Sequence, residues 1–255
     1  MKSRTPDARL IGPASYIMLY LLLLAIFGLP SLPRVHAVSC NPHQDYYAQG
    51  LDGDTYNDYG VAAYQTIHSQ TVCGTSTDKN VVFVWTADEW VSGDFLATGY
   101  FIGEKGDQSG WVTTLDYYYD ESVSGTYYFS DISSGTGDYP AASQAISFTL
   151  QGSLNTGTHA WSDSVSYPGH YTINISPITM SSDYSNAGPQ TALEPHDSAN
   201  IGTGDVYSLQ NLKYSSPNFT WTSWASGAAT TDYPFCAYQI SYSHYTMDTS
   251  TTGSC

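Results

Sequence analysis

Apolar and polar residues alternate in short runs along most of this chain, with turn-forming residues between the runs. The runs are Val81 to Trp85, Phe95 to Ile102, Trp111 to Tyr119, Thr126 to Ile132, and Ile146 to Leu150. Tyr171 to Ile175, Val206 to Tyr214, Phe219 to Trp224 and Ala237 to Tyr245 follow. Period-two alternation bounded by Gly, Ser, Asn and Asp predicts half-buried strands. Nine such segments in one chain predict an all-β sandwich or barrel. In Trp221-Thr222-Ser223-Trp224 the two indoles are three residues apart, so a strand turns them to opposite faces. No repeat of fixed period is evident.

Composition supports strands over helices. After residue 37 the chain holds 21 tyrosines and abundant Ser, Thr and Gly, but few Leu, Lys or Glu. The first 37 residues differ. Lys2, Arg4 and Arg9 precede an apolar run from about Tyr16 to Leu29, Pro30 and Pro33 end it, and Val35-His36-Ala37 offers a cleavage site. That order predicts a secretory signal at 1–37 and an extracellular mature chain. The competing reading, an uncleaved anchor, has an apolar run short of the ~20 residues a bilayer needs. Residues 38–255 carry no charge run or proline-rich linker and are expected to form one domain.

All four cysteines, Cys40, Cys73, Cys236 and Cys255, lie in that domain. Of the three possible connectivities, Cys40–Cys73 with Cys236–Cys255 staples each end of the chain by a modest loop. No C-x-x-C spacing occurs, so zinc or thiol-redox chemistry is not indicated.

Charge narrows the partners. The mature part has no arginine, and three lysines (Lys79, Lys105, Lys213) face 22 Asp and Glu, a formal charge of −19. Such a surface repels phosphates, which argues against nucleic acid and anionic membranes as partners. Below about pH 3 the carboxylates become neutral and few positive charges remain, so acid tolerance is expected. The alternative is that acidity serves solubility alone.

Motifs for familiar chemistry are absent: no G-x-S-x-G, H-E-x-x-H, P-loop or G-x-G-x-x-G occurs. The histidines His43, His68, His159, His170, His196 and His244 lack ligand spacing, and structural or surface roles are expected. Asp52-Gly53-Asp54-Thr55-Tyr56-Asn57-Asp58 has the oxygen density of a calcium loop but no closing glutamate, and turns use the same residues. No metal or cofactor is therefore expected. Trp85, Trp90 and Trp111, with the tyrosines, are candidates to line a binding face. The alternative is an aromatic core row. Asn174-Ile-Ser176 and Asn218-Phe-Thr220 are N-glycosylation triplets without functional weight.

Three blocks between Val81 and Trp224 resemble the glutamic peptidases (eqolisins) and related lectin-like sandwiches, which implies an all-β antiparallel sandwich of the concanavalin A-like or jelly-roll type. Phe95-Leu96-Ala97-Thr98-Gly99-Tyr100 resembles a strand written I-L-Q-[AT]-G-[VY]. Leu115-Asp116-Tyr117-Tyr118-Tyr119-Asp120 resembles Y-E-W-Y-P-D, with a G-D close at Asp138. Gln190-Thr191-Ala192-Leu193-Glu194 falls where the family has E-W-I-x-E.

The resemblance implies a Gln and a Glu that activate water and stabilise a tetrahedral intermediate on a concave face. Here those positions hold Ala97, which has no polar group, and Gln190, which cannot exchange a proton near working pH. The other family acids appear as Asp116 and Glu194. Moving Thr98 into the amide's place would turn it to the wrong face. Two expectations follow. One is a non-catalytic sandwich that binds a glycan or peptide, or serves an extracellular structural role. The other is an acid endopeptidase or glycoside hydrolase using a displaced pair, with Asp116, Glu194 and Gln190 as candidate catalytic residues. Paired carboxylate chemistry would need Asp116 and Glu194 about 5–10 Å apart over one cleft.

Overall fold

A computed structural model describes Cys40, residues 44–53, 58–90, 93–133, 137–152, 160–166, 172–180, 187–215 and 218–249. They belong to one compact unit, Ser39–Cys255. The expected signal segment, the sequence between Asp52 and Asp58 at 54–57, and His43, His159, His170 and Cys255 lie outside the described residues.

Two antiparallel sheets pack face to face. One holds β13 (Gly227–Thr231), β1 (Ala48–Asp52), β10 (Ala187–Pro195), β3 (Val81–Trp90), β4 (Phe95–Glu104), β5 (Trp111–Val123) and β6 (Thr126–Asp131), in that order. The other runs β14 (Phe235–Ser241), β15 (His244–Thr249), β11 (Thr203–Ser215), β2 (Asp58–Thr66), β7 (Ala145–Gly152), β8 (Ala160–Ser166) and β9 (Ile173–Thr179). Strand β12 (Asn218–Ser223) also pairs with β11.

The alternation read from the sequence is what divides the core. From β3, Val82 and Val84 point between the sheets, where they join Leu96, Tyr100, Val61, Phe148, Leu150 and Tyr245. From the same strand, Val81, Phe83, Trp85 and Ala87 point the other way, into a second cluster with Ala97, Phe101, Tyr118 and Phe129. Strand β3 is therefore buried on both faces, which is why it reads as a nearly continuous apolar run. The second cluster floors a hollow on the outer side of the seven-stranded sheet.

Two expectations change in detail. The run Ala237 to Tyr245 is two strands, since β14 turns back into β15 at Tyr242-Ser243. Strand β10 was not anticipated, because Pro189, Pro195 and two alanines dilute its β-forming residues. The Cys40–Cys73 bridge is present, with a Cα–Cα distance of 5.7 Å. Cys236 is buried and disulfide-bonded. The two indoles of β12 and its exit do face opposite ways. Trp224 is buried in the core, where its Nε1 donates to Asn211 Oδ1, while Trp221 lies half-buried on the outer surface.

A carboxyl-walled hollow as the candidate functional site

The hollow encloses about 580 Å³. Its floor is apolar because β3 and β4 lie in the middle of the sheet and expose only alternate side chains to it. One transverse row reads Gln190, Ala87, Ala97, Asp120, from β10 across β3 and β4 to β5. Two methyl groups thus separate an amide on one wall from a carboxyl on the other. All four residues line the hollow.

The β10 wall carries the densest polar cluster. Glu194 accepts the Trp85 indole hydrogen at 2.6 Å on Oε2, and the Tyr47 hydroxyl at 3.4 Å on Oε1. Its Oε1 also lies 3.1 Å from His196 Nε2, which is 3.5 Å from Asp45 Oδ1. Burial lowers the His196 pKa, but the hydrogen bond and charge of Glu194, with the charge of Asp45, raise it further, so the net shift is upward. Tyr47 is held protonated by burial and then by Glu194. The ligand atoms of Asp45, Glu194 and His196 lie within 4.8 Å of one another, a spacing a divalent ion could bridge. A protonated His196 between two carboxylates satisfies the same groups without one.

The far wall is different in kind. Asp120 Oδ2 accepts the Tyr127 hydroxyl at 3.0 Å, while Oδ1 is shut from solvent without a hydrogen-bond partner. Burial, then the charge of Glu194, pushes this carboxyl well above the ordinary range, and the Tyr127 bond offsets only part of it. Asp120 therefore keeps its proton to a higher pH than an ordinary carboxyl, across the hollow from Glu194. At the rim, Gln190 Nε2 donates to Glu89 Oε2 at 2.5 Å, and Glu89 is exposed.

The sequence candidates separate accordingly. Trp85, Gln190 and Glu194 line the hollow. Asp116 does not. It shares the row Glu194, Phe83, Phe101, Asp116, so three strand spacings, about 14 Å, divide its backbone from that of Glu194. Asp116 is buried beside Asp131, whose other partner is Lys105 Nζ at 2.7 Å. Burial and then the Asp131 charge raise its pKa to about 6. Trp111 opens β5 opposite Glu104, away from the hollow, and the Trp90 side chain lies outside the described residues.

Three residues of the site escaped the sequence reading: Glu89, Asp120 and His196. A parity signal existed for each. Residues 116, 118 and 120 share a face, as do 85, 87 and 89, and His196 follows Glu194 by two.

No protein-family model and no curated protein sequence matches this chain. Among solved structures the chain is similar to Scytalido-glutamic peptidase, crystallised with a peptide-based transition state analog. The TM-score is 0.53 and the identity 10%, over 82% of this chain and 99% of that one. At that identity the likeness is one of fold: two packed antiparallel sheets arranged as in a glutamic peptidase.

Proposed function

We propose that the hollow binds an extended peptide bearing basic side chains, and that it does so without glutamic-peptidase chemistry. One observation carries the reading. At the two positions where the family resemblance puts the catalytic Gln and Glu, this chain has Ala97 and Gln190, with Ala87 between them. None of the three can take up or release a proton. What remains is a recognition surface. Phe83, Trp85, Phe95 and Tyr127 supply apolar walls, while Glu89 and Glu194 supply negative charge. A concave, mostly apolar site with a few placed polar groups suits a ligand of this size. Carboxylates on an already acidic chain favour a cationic ligand over a neutral or anionic one. The leader-like first 37 residues and the Cys40–Cys73 bridge support an extracellular setting for the encounter.

Fluorescence anisotropy with a labelled lysine-containing peptide and its glutamate-containing counterpart tests the proposal. The lysine peptide is expected to bind about tenfold tighter or better at pH 6, with the preference shrinking as salt rises. Equal affinities, or no saturable binding by either, would refute it.

A second reading is favoured by the Gln190–Glu89 contact, an acid and an amide joined at the rim of the same hollow. Such a couple, with the Asp120 carboxyl opposite held above the ordinary carboxylate range, has the parts for acid hydrolysis by a displaced pair. That could be an acid endopeptidase or a glycoside hydrolase. Incubation of an unfolded protein or a neutral polysaccharide with this chain at pH 3–5 separates the readings. Cleavage that disappears in Glu89→Gln supports the second; an intact substrate supports the first.

A further inference from the structure

The outer face of the second sheet holds a surface trough of about 420 Å³, on a different sheet from the hollow and sharing none of its residues. Ala62, Tyr64 and Trp221 line it together with the polar side chains Ser147, Thr149, Ser208 and Gln210, and no lining side chain is charged at neutral pH. In a chain with 22 mature acidic residues, an uncharged surface of this extent is a distinct chemical environment.

Strand register extends the trough into a line. Gln210, Ala62, Thr149, Ser164 and Asn174 occupy one transverse row across five strands. Four spacings give a track of about 19 Å. Each polar member offers a hydroxyl or amide that both donates and accepts. The neighbouring row begins with Tyr207 and Tyr64, whose rings stack at 5.7 Å and 18°. Between the two rows β11 carries a register shift, where Ser208 sits at φ 54°, a costly conformation for a residue other than glycine. Asp205, two residues before Tyr207 on β11, accepts the Thr66 hydroxyl at 2.8 Å and lies 2.8 Å from His244 Nε2, and it is not among the residues that line the trough.

We infer that this trough is a binding site for a neutral oligosaccharide. A pyranose presents an apolar C–H face and a rim of hydroxyls. The first fits an exposed Trp or Tyr ring, and the second fits a row of uncharged donors and acceptors. A basic peptide has no carboxylate to meet here, and an anionic glycan would be repelled by the surrounding surface.

Titration calorimetry and tryptophan emission with cellohexaose, laminarihexaose and mannohexaose, and with hexagalacturonate as the charged control, test the inference. At least one neutral hexasaccharide is expected to bind and to perturb emission, while hexagalacturonate does not. Trp221→Ala and Tyr64→Ala should each weaken binding about tenfold, and Trp221→Phe should retain most of it. Tyr64 is 47% exposed, so its replacement leaves the fold intact and the test stands even if Trp221→Ala is unstable. Glu194→Gln should leave sugar binding unchanged. Failure of all three neutral sugars to bind, unchanged affinity in Tyr64→Ala, or loss in Glu194→Gln would overturn the inference. So would self-association in sedimentation that Tyr64→Ala abolishes, since the trough would then hold a second copy of the chain.

Discussion

Gln190 and Glu89 meet diagonally across β10 and β3, with Nε2 of the amide 2.5 Å from Oε2 of the acid. The bond fixes the amide in the position where the resemblance to glutamic peptidases would put a carboxylate. It also leaves Glu89 with a hydrogen-bonded oxygen on the exposed rim rather than over the floor. The apolar row of Ala87 and Ala97 beside it has no group to hold a water molecule. The proposal of binding without turnover rests on this arrangement.

On the proposed reading Glu194 anchors the peptide-binding wall, and its removal is expected to affect binding more than folding. Glu194→Gln keeps the shape and the bond to Trp85 but removes the charge beside His196. Affinity for a lysine peptide should fall about tenfold, with a change of a few degrees at most in the melting temperature. Anisotropy and calorimetry on the same sample separate the two effects.

Stability is expected to be greatest in acid. Asp116 is raised to about 6 by burial and Asp131, and Asp88 to about 8 by burial and the charge of Asp52. Each native carboxyl holds its proton at a pH where the unfolded chain has lost it. Their contribution is therefore fully present below about pH 4 and is lost as pH rises towards 6 for Asp116 and 8 for Asp88. The Asp116 part is on the order of 2–3 kcal/mol. The melting temperature should be higher at pH 4 than at pH 8. Asp88→Asn, which removes a fully buried acid with both oxygens unpartnered, should narrow that gap. A protein that melts earlier at pH 4 would contradict the assignment.

The β3–β4 contact under the hollow depends on Gly99. A Cβ there would stand 1.9 Å from the Val84 carbonyl oxygen, which cannot move without breaking the ladder. Gly99→Ala is expected to destabilise the protein by several kcal/mol, on the scale of the severest core substitutions. Chemical denaturation reads this directly, and a midpoint near wild type would show that the strands can separate.

The Cys40–Cys73 bridge closes a 33-residue separation. Loop-closure entropy for that length is about 3–4 kcal/mol. Cys40→Ser with Cys73→Ser should lower the denaturation midpoint accordingly and leave peptide affinity unchanged, since neither residue lines the hollow.

The centre of the sandwich was legible because β3, β4 and β5 are rich in Val, Phe, Tyr and Trp and alternate cleanly. Strands such as β10 and β13 were not, since Ala, Gly, Pro and Thr form strands there only because neighbours supply the ladder. The site followed the same division. Glu194 and Gln190 were visible from the family blocks, and Trp85 as one of the aromatic candidates. The choice between Asp116 and Asp120 was not, because both have the same parity and only the stagger of β5 against β4 puts Asp120 over the hollow. Glu89 and His196 became functional candidates only once β3 and β10 were paired.

A single incubation separates binding from turnover. The purified protein is held at pH 4 with an unfolded, lysine-containing polypeptide, and the products are read by mass spectrometry. Saturable binding and full recovery of the intact polypeptide are expected. New peptide termini that vanish in Glu89→Gln would contradict that expectation and make the rim couple a working catalytic pair.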